Sequence, residues 1–510
     1  MRTISLLIGA SFVSMAHPAA AQSGGQAAAP APAAAPAPTE TLRDAMVRAY
    51  NTNPQILSER ANQRANDENV PIARSQGLPS ASGTGSISQS IYDSGGSAAI
   101  GGGAGGALGP TRTLNSGLDL SLPIYSGGSV RNSVRAAETR VRAGQASLRG
   151  AEATLFTQVV AAYLDVIRDE AIVRLNQENV RVLEVNLQAT QDRFQVGDLT
   201  RTDVAQSEAR LALARSQLQS AEAVLIGSRE EYIRVIGTAP GVLASPPPLP
   251  NLPADVTAAV AVALEENPDL LAAQQDAKAA GIDVKVARAG RLPTVSLGAS
   301  GSYYNYLGTL PNSPVFAGSN DGVSTSAGVQ LQIPLFQGGR PAAQIRQAQA
   351  RQSAALEQVT STERGVIANT RSAYASWQSA QHVIESSQVA VKANRLSLEG
   401  VRAENSVGTR TILDILNAEQ ELLNSQVTLV TARRDAYVAG FALLAAMGRA
   451  EAQDLGLDGG PLYDPVTNYR RVRGKMWDWD DDPAPRPMGS RTADTPAQTP
   501  VVNGPLDPEL

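Results

Sequence analysis

The chain contains no cysteine. That excludes disulfides, thiolate catalysis, cysteine metal sites and an acylated N-terminal cysteine. Among 510 residues there are two histidines, His17 near the start and His382 in a helical stretch. Histidine catalysis and a multi-histidine metal site therefore lack their ligands, and neither cofactor nor metal is expected. Aromatic residues make up 4%, low for a globular core but natural for coiled helices rich in Ala, Leu, Gln and Arg. Basic charge is not in excess: 43 Lys and Arg against 48 Asp and Glu give a formal net charge of −5. That balance argues against a nucleic-acid partner. Beyond the leader, no run of about 18 apolar residues offers a transmembrane helix. An exported chain of this kind is periplasmic, secreted, or inserted through β-strands.

Residues 1–21 read as a secretory signal: Arg2, an apolar stretch from Ile4 to Val13, then Ala19-Ala20-Ala21 before Gln22. Residues 22–40 are an Ala/Pro-rich linker. Thr41 is placed to cap a first helix, with Asp44 in its first turn. Helical patterning continues to about Gln76, with a break expected at Pro71.

Two short stretches organise the rest of the chain. Leu122-Pro123-Ile124-Tyr125-Ser126-Gly127-Gly128 recurs as Ile333-Pro334-Leu335-Phe336-Gln337-Gly338-Gly339. Proline suits a strand end, and paired glycines permit a sharp change of direction. Each copy closes an alternating run and opens a long helical one, so each reads as a strand–helix joint. Strand hairpins are expected over 78–124 and 292–335, the first with a flexible loop at 101–106, GGGAGG. That loop lacks the Lys-Ser/Thr of a phosphate loop. Long helices are expected over 128–196 and 339–407, each roughly 100 Å at about 1.5 Å per residue. Apolar residues repeat every seven on the first: Val159, Val166, Val173, Val180, Leu187, Phe194. This is a coiled-coil seam. Return helices over 203–236 and 414–447 carry their own seams, through Val204, Leu211, Leu218, Leu225 and Tyr232, and through Ile415, Leu422, Leu429, Ala436 and Leu443.

The chain is thus two tandem repeats, 41–253 and 254–450. Asn53-Pro54 returns as Asn267-Pro268, an offset of 214; past the first hairpin the offset is 211, linking Pro123 to Pro334, Gly197 to Gly408 and Asp203 to Asp414. The leading and return helices of each repeat together match the long helix in length, so two shorter rods stacked end to end can pair with one long rod. Residues 451–510 lose the pattern and are expected to be a largely disordered tail. Its Asp480-Asp481-Asp482 reads as solvated acid rather than a metal site, since no histidine accompanies it.

One chain offers four strands, too few to close a barrel. Strands entering lipid must close, so several chains must share one barrel. The joints and two far-end motifs together carry a resemblance. Val196-Gly197-Asp198-Leu199-Thr200-Arg201-Thr202-Asp203-Val204 and Val407-Gly408-Thr409-Arg410-Thr411-Ile412-Leu413-Asp414-Ile415 resemble motifs of the TolC family of outer-membrane efflux proteins, over about 41–450. The resemblance implies an α+β membrane fold: a homotrimer with a twelve-stranded transmembrane β-barrel in outer-membrane lipid and a periplasmic α-barrel of long coiled-coil helices. It implies a passive exit duct, not an enzyme, served by an inner-membrane pump through a periplasmic adaptor, in drug efflux or type I secretion. The tips, Val196, Gly197, Asp198, Leu199 and Thr200 with Val407, Gly408 and Thr409, would then meet the adaptor. Asp414 matches a pore-facing aspartate of the family, and three copies would form a carboxylate ring attracting cations. Asn417 stands where members often carry a second aspartate, implying weaker cation binding. Asp203 and Asp414 are alternatively helix-capping acids, and Arg410 is alternatively a gate-holding partner of a neighbouring helix. Tyr303, Tyr304 and Tyr306, with Tyr125 and Phe336, are either an interfacial girdle or junction core. A structural periplasmic or surface coiled coil is the competing reading; it accounts for the heptads but not for the duplicated hairpins.

Overall fold

The computed structural model describes residues 39–91, 112–250, 252–309, 319–457 and 462–502. The signal segment, most of the linker and the glycine-rich loop lie outside the described residues. In order, the elements are β1 (Thr39–Glu40), α1 (Leu42–Thr52), α2 (Pro54–Asp67), α3 (Asn69–Ser75), β2 (Ser80–Gln89), β3 (Arg112–Tyr125), α4 (Ser129–Gln195) and α5 (Arg201–Ile236). They continue with β4 (Val242–Leu243), α6 (Val256–Glu266), α7 (Pro268–Ala289), β5 (Thr294–Asn305), β6 (Asp321–Gln332), α8 (Arg340–Ser406), α9 (Ile412–Ala446) and α10 (Pro465–Val472).

The strand–helix joints are built by left-handed glycines. Gly127 and Gly128 have φ of +64° and +81°, and Gly338 and Gly339 have +59° and +79°. Gly128 and Gly339 are the N-terminal caps of α4 and α8. A side chain is unfavourable at these angles, and at Gly127 a Cβ would also meet the Ala289 carbonyl at 2.9 Å. Pro123 and Pro334 behave differently. β3 runs on past Pro123 to Tyr125, with an irregular register between them, whereas β6 ends two residues before Pro334.

α4 and α8 each span 67 residues, about 100 Å at roughly 1.5 Å per residue. The first half of α4 lies beside α2 and α3: a Cβ on Gly144 would meet Gln63, and one on Gly77 would meet Val130. Its second half lies beside α5, where Thr190 and Ser207 share a hydrogen bond. α8 packs against α6, α7 and α9 in the same manner. Seam residues Val159, Val166, Val173, Leu225 and Tyr232 are fully buried, whereas Phe194, nearest the tip, is exposed. The Tyr163 hydroxyl reaches the carbonyls of Glu40 and Ala244 (2.9 and 2.7 Å). The repeat-related Tyr374 donates to the Ala254 carbonyl (3.1 Å). Each tyrosine pins a chain connection onto its long helix.

Three expectations need correction. The leading helices break at Asn53 and Glu68, not at Pro71. Asn53 accepts from the Gln55 N–H while Pro54 opens α2, a favourable start. The break at Glu68 puts Pro71 in the first turn of α3, where a missing N–H costs no helical bond. Second, the end of the linker is structured, because Thr39–Glu40 pair in parallel with Val242–Leu243. Third, the tail expected to be disordered lies against the first repeat over its described part. α10 packs Tyr469 against Val70, Ala73, Ala137 and Val141 and fully buries Val472, and Arg229 donates to the carbonyls of Thr499 and Val501 (2.5 and 2.8 Å).

Candidate functional site

The four longer strands form one antiparallel sheet of order β2-β3-β5-β6. Its register sorts side chains by polarity. Ala81, Leu120, Ala299 and Ala327 lie in one row across the sheet, and Leu122, Leu297 and Val329 in the next but one. Between these falls a row of the opposite face, Ser80, Ser121, Gly298 and Gly328, and the next row of that face is Ser82, Asp119, Ser300 and Ser326. One face is therefore apolar and the other carries small polar groups. Among the described residues nothing covers the apolar face: Leu118, Leu120, Leu297, Val323, Val329 and Leu331 are all exposed. An exposed apolar sheet face of this extent marks a surface built for lipid or protein contact. The outer edges of β2 and β6 have no strand partner among the described residues.

Aromatic residues mark both ends of the apolar face. Tyr125 pairs with Val295 at the helix end, and Tyr303 pairs with Val323 at the far end. The 12 residues of β5 extend about 40 Å, or roughly 30 Å at the tilt of barrel strands. Tyr304 belongs to the other face, its ring over Gly322, and it packs against Tyr306 with centroids 5.2 Å apart. Phe336 and Tyr125 are exposed rather than junction core.

At the opposite end, two helix–turn–helix tips repeat one design. α4 ends at Gln195 with Val196 as its C-cap, and Gly197 takes φ +85°, with its N–H bonded to the Phe194 carbonyl and the Asp198 N–H to that of Arg193. Arg193 and Asp198 form an ion pair across the turn (2.6 Å). Leu199 follows, and Thr200 caps α5: its N–H and hydroxyl donate to Asp203 (2.9 and 2.8 Å), whose own N–H donates back to the hydroxyl. In the second tip Val407 ends α8, Gly408 takes φ +83°, and the Thr409 N–H donates to the Glu404 carbonyl. Thr411 and Asp414 form the same reciprocal cap. Arg410 pairs with Glu404 of α8 (2.7 Å). Hydrogen bonds from Thr200 hold the Asp203 carboxyl below its usual range, and those from Thr411 do the same for Asp414. Both acids keep a negative charge at neutral pH.

Sequence reasoning misses the group that joins the two tips. Glu419, on α9, is 6% exposed. It accepts from the Asn186 side chain on α4 (both oxygens at 3.0 Å) and from Arg402 on α8 (2.9 Å). Two residues nearer the tip, Arg210 of α5 donates to Asn417 (2.7 Å). Leu416 is buried against Leu183, Leu211 and Ala214 of α4 and α5. α9 is thus fastened to the first hairpin by an apolar plug flanked by two polar ties. The available signal was a charge on the seam side, since Glu419 stands four residues after Ile415 and three before Leu422.

The geometry combines a two-faced sheet, paired rods about 100 Å long and capped tips. The outer membrane efflux protein profile matches residues 45–238 and 259–449, once per repeat. The chain belongs to that family. Outer membrane efflux protein BepC of Brucella suis biovar 1 is 36% identical over 439 residues, covering 86% of this chain and 92% of BepC. Outer membrane protein TolC of Escherichia coli K12 is 28% identical over 364 residues, covering 69% of this chain and 73% of TolC. The solved Campylobacter jejuni CmeC outer membrane channel shares the fold, with TM-score 0.70, 18% identity, and coverage of 85% of this chain and 89% of that one. As an outer membrane efflux protein, the chain is a transport-channel component of the outer membrane, the exit duct of an efflux or secretion system. The TolC-family fold inferred from the joints and tips is the fold it has.

Proposed function

We propose that three copies pool their sheets into a twelve-stranded barrel, with the helices continuing the bore into the periplasm as a closed ring of rods. The observation that carries this reading is the sheet itself. It has an apolar face, a small-polar face and two open edges. A free edge has no partner in lipid, and four strands cannot close alone. Joining β2 of one copy to β6 of the next satisfies every edge, turning the leucines and valines outward and the serines toward water. Residues 1–21 would direct export and be removed. At the tips, Gly197 and Gly408 with Val196, Asp198, Leu199, Thr200, Val407 and Thr409 present the surface a periplasmic adaptor engages, coupling the duct to an inner-membrane pump. Asp414 faces the bore as a ring, with Arg410, Asn417 and Asp203 around it, while its capping bond to Thr411 fixes its position.

A stalk-like coiled coil leaves the apolar sheet face without purpose. Because the native chain has no cysteine, a cysteine placed on β2 and another on β6 report edge pairing without background. Scanning the second position should give covalent trimers on denaturing gels, and the purified protein should conduct in planar bilayers. Edges that never crosslink, in a protein that never conducts, would defeat the proposal.

A further inference from the structure

The tail makes a hairpin along the first repeat. The Tyr463 N–H donates to the Tyr50 hydroxyl (3.1 Å), Asn468 to Asp67 (2.8 Å), and Arg74 to the Arg473 carbonyl (3.2 Å). α10 therefore climbs beside α2 and α3 toward the sheet. The chain then descends, since Gly489 lies against Pro54 and Thr499 lies against Arg229. The apex, residues 474–481, is closed at its base by a bidentate pair between Arg471 and Asp482 (2.7 and 2.8 Å). Lys475 adds contacts to Asp480 (3.1 Å) and Asp482 (3.6 Å). Beneath it, Val472 is fully buried. This is a built loop on a fixed base.

Its outward side chains are unusual for a loop. Trp477 is 75% exposed and Trp479 84%, and Met476 is exposed beside them. From Arg470 to Asp482 the charges balance: Arg470, Arg471, Arg473 and Lys475 against Asp478, Asp480, Asp481 and Asp482. Position supplies the rest. Arg74 lies in the last turn of α3, three residues before Gly77, which abuts Val130 in the first turn of α4. Four residues, at most about 14 Å of chain, carry the backbone from Arg473 to Trp477. The apex thus sits near the level where Tyr125 and Phe336 end the apolar sheet face.

We propose that Met476, Trp477 and Trp479 form an interfacial anchor resting on the phospholipid headgroup layer at the helix end of the sheet. Tryptophan favours that layer because its ring is apolar and its N–H stays wet. A net-neutral loop suits a zwitterionic headgroup surface. Its two carboxylates not paired to Arg471 or Lys475, Asp478 and Asp481, would face headgroup ammonium groups. The anchor would fix the barrel's depth in the membrane. The inference rests on the sheet lying in the membrane.

The chain has three tryptophans, Trp377, Trp477 and Trp479. The full-length protein is reconstituted in phosphatidylethanolamine/phosphatidylcholine vesicles doped with lipid brominated near the glycerol. Subtracting the emission of a Trp477→Phe/Trp479→Phe variant isolates the apex. The expected result is blue-shifted apex emission, largely lost to bromolipid and little affected by acrylamide in the water phase. Quenching by acrylamide and not by bromolipid would overturn the anchor. Protection from both would overturn it in favour of a neighbouring copy covering the apex. Phe336→Trp in the tail-substituted variant separates the levels of inference. If that probe is quenched by bromolipid and the apex is not, the sheet is in lipid and the anchor alone fails. If neither is quenched, the membrane placement fails with it.

Discussion

Glu419→Ala is expected to leave a folded channel that opens too easily. The substitution removes a nearly buried carboxylate that takes the Asn186 amide on both oxygens and Arg402 on one. Hydrogen bonds to charged groups contribute about 1.5–3 kcal/mol and neutral ones about 0.5–1.5 kcal/mol. Arg402 is half exposed, so water replaces much of its share. The net loss for docking α9 on α4 is then about 2 kcal/mol, or about 30-fold in an equilibrium that separates them. The Leu416 plug remains and keeps the helices paired in the variant. Single-channel recording in planar bilayers reads the effect as a raised open fraction. Glu419→Gln, which keeps one acceptor and the shape, should fall between wild type and alanine. Asn186→Ala should add little on top of Glu419→Ala, because both remove the same tie. An unchanged open fraction in Glu419→Ala, with native thermal stability, would refute the view that this group restrains the tip.

Asp414→Ala should lower the channel's preference for cations; unchanged reversal potentials in a salt gradient would defeat the proposed carboxylate ring. Thr411→Ala should keep the Asp414 charge but loosen its position, giving a smaller loss of selectivity than Asp414→Ala, and should cost about 1 kcal/mol through the lost helix cap, seen as a lower Tm. Burial pushes the Glu152 carboxyl from 4.5 up to about 7, against the opposing charge of Arg60. The folded chain then holds a proton that the unfolded chain has released, so this group's stabilisation is full below about 4.5 and lost as pH rises through about 7. Glu152→Gln should therefore flatten the fall of Tm between those values relative to wild type. Gly408→Val should destabilise the second tip by about 1–2 kcal/mol through positive φ alone, since the space around it is open. Gly408→Asn should be much milder by the same denaturation assay.

Much of this architecture is legible in the sequence because its determinants are local or periodic. Paired glycines at 127–128 and 338–339 require left-handed backbone whatever surrounds them, and the seven-residue seam of α4 needs only its own spacing. The reciprocal caps Thr200–Asp203 and Thr411–Asp414 likewise lie within four residues of chain. The features that escape depend on partners distant in sequence. Glu419 gains its meaning only when Asn186 and Arg402 arrive from two other helices. The tail's composition signals disorder, yet Leu457, Tyr463, Tyr469 and Val472, with polar ties to α2, α3 and α5, hold its described part in place. The break expected at Pro71 is displaced by three residues because a break at Glu68 converts a helix-breaking proline into a first-turn one. The repeat offset also conceals a difference: the first repeat's leading rod is broken twice, whereas α6 and α7 are divided once, at Asn267.

That inequality between the repeats bears on assembly. α4 is covered by α5, α7, α9 and the leading helices, and its seam is buried. α8 keeps a second set of apolar residues with no cover among the described residues: Val389 and Leu396, seven apart, with Leu356 and Val383 also exposed. A seven-residue spacing is the mark of a coiled-coil seam, and a seam without a partner calls for another rod. The open edge of β6 leads, through one short joint, straight into this same helix. If the next copy's strand closes that edge, its helices arrive alongside α8 at the same step. The first repeat therefore supplies most of the internal core and one open edge, β2, while the second presents the other open edge, β6, together with exposed apolar positions along α8. A contact joining β2 of one copy to β6 of the next would be heterologous, and such head-to-tail contacts close into a ring when the rotation between copies permits.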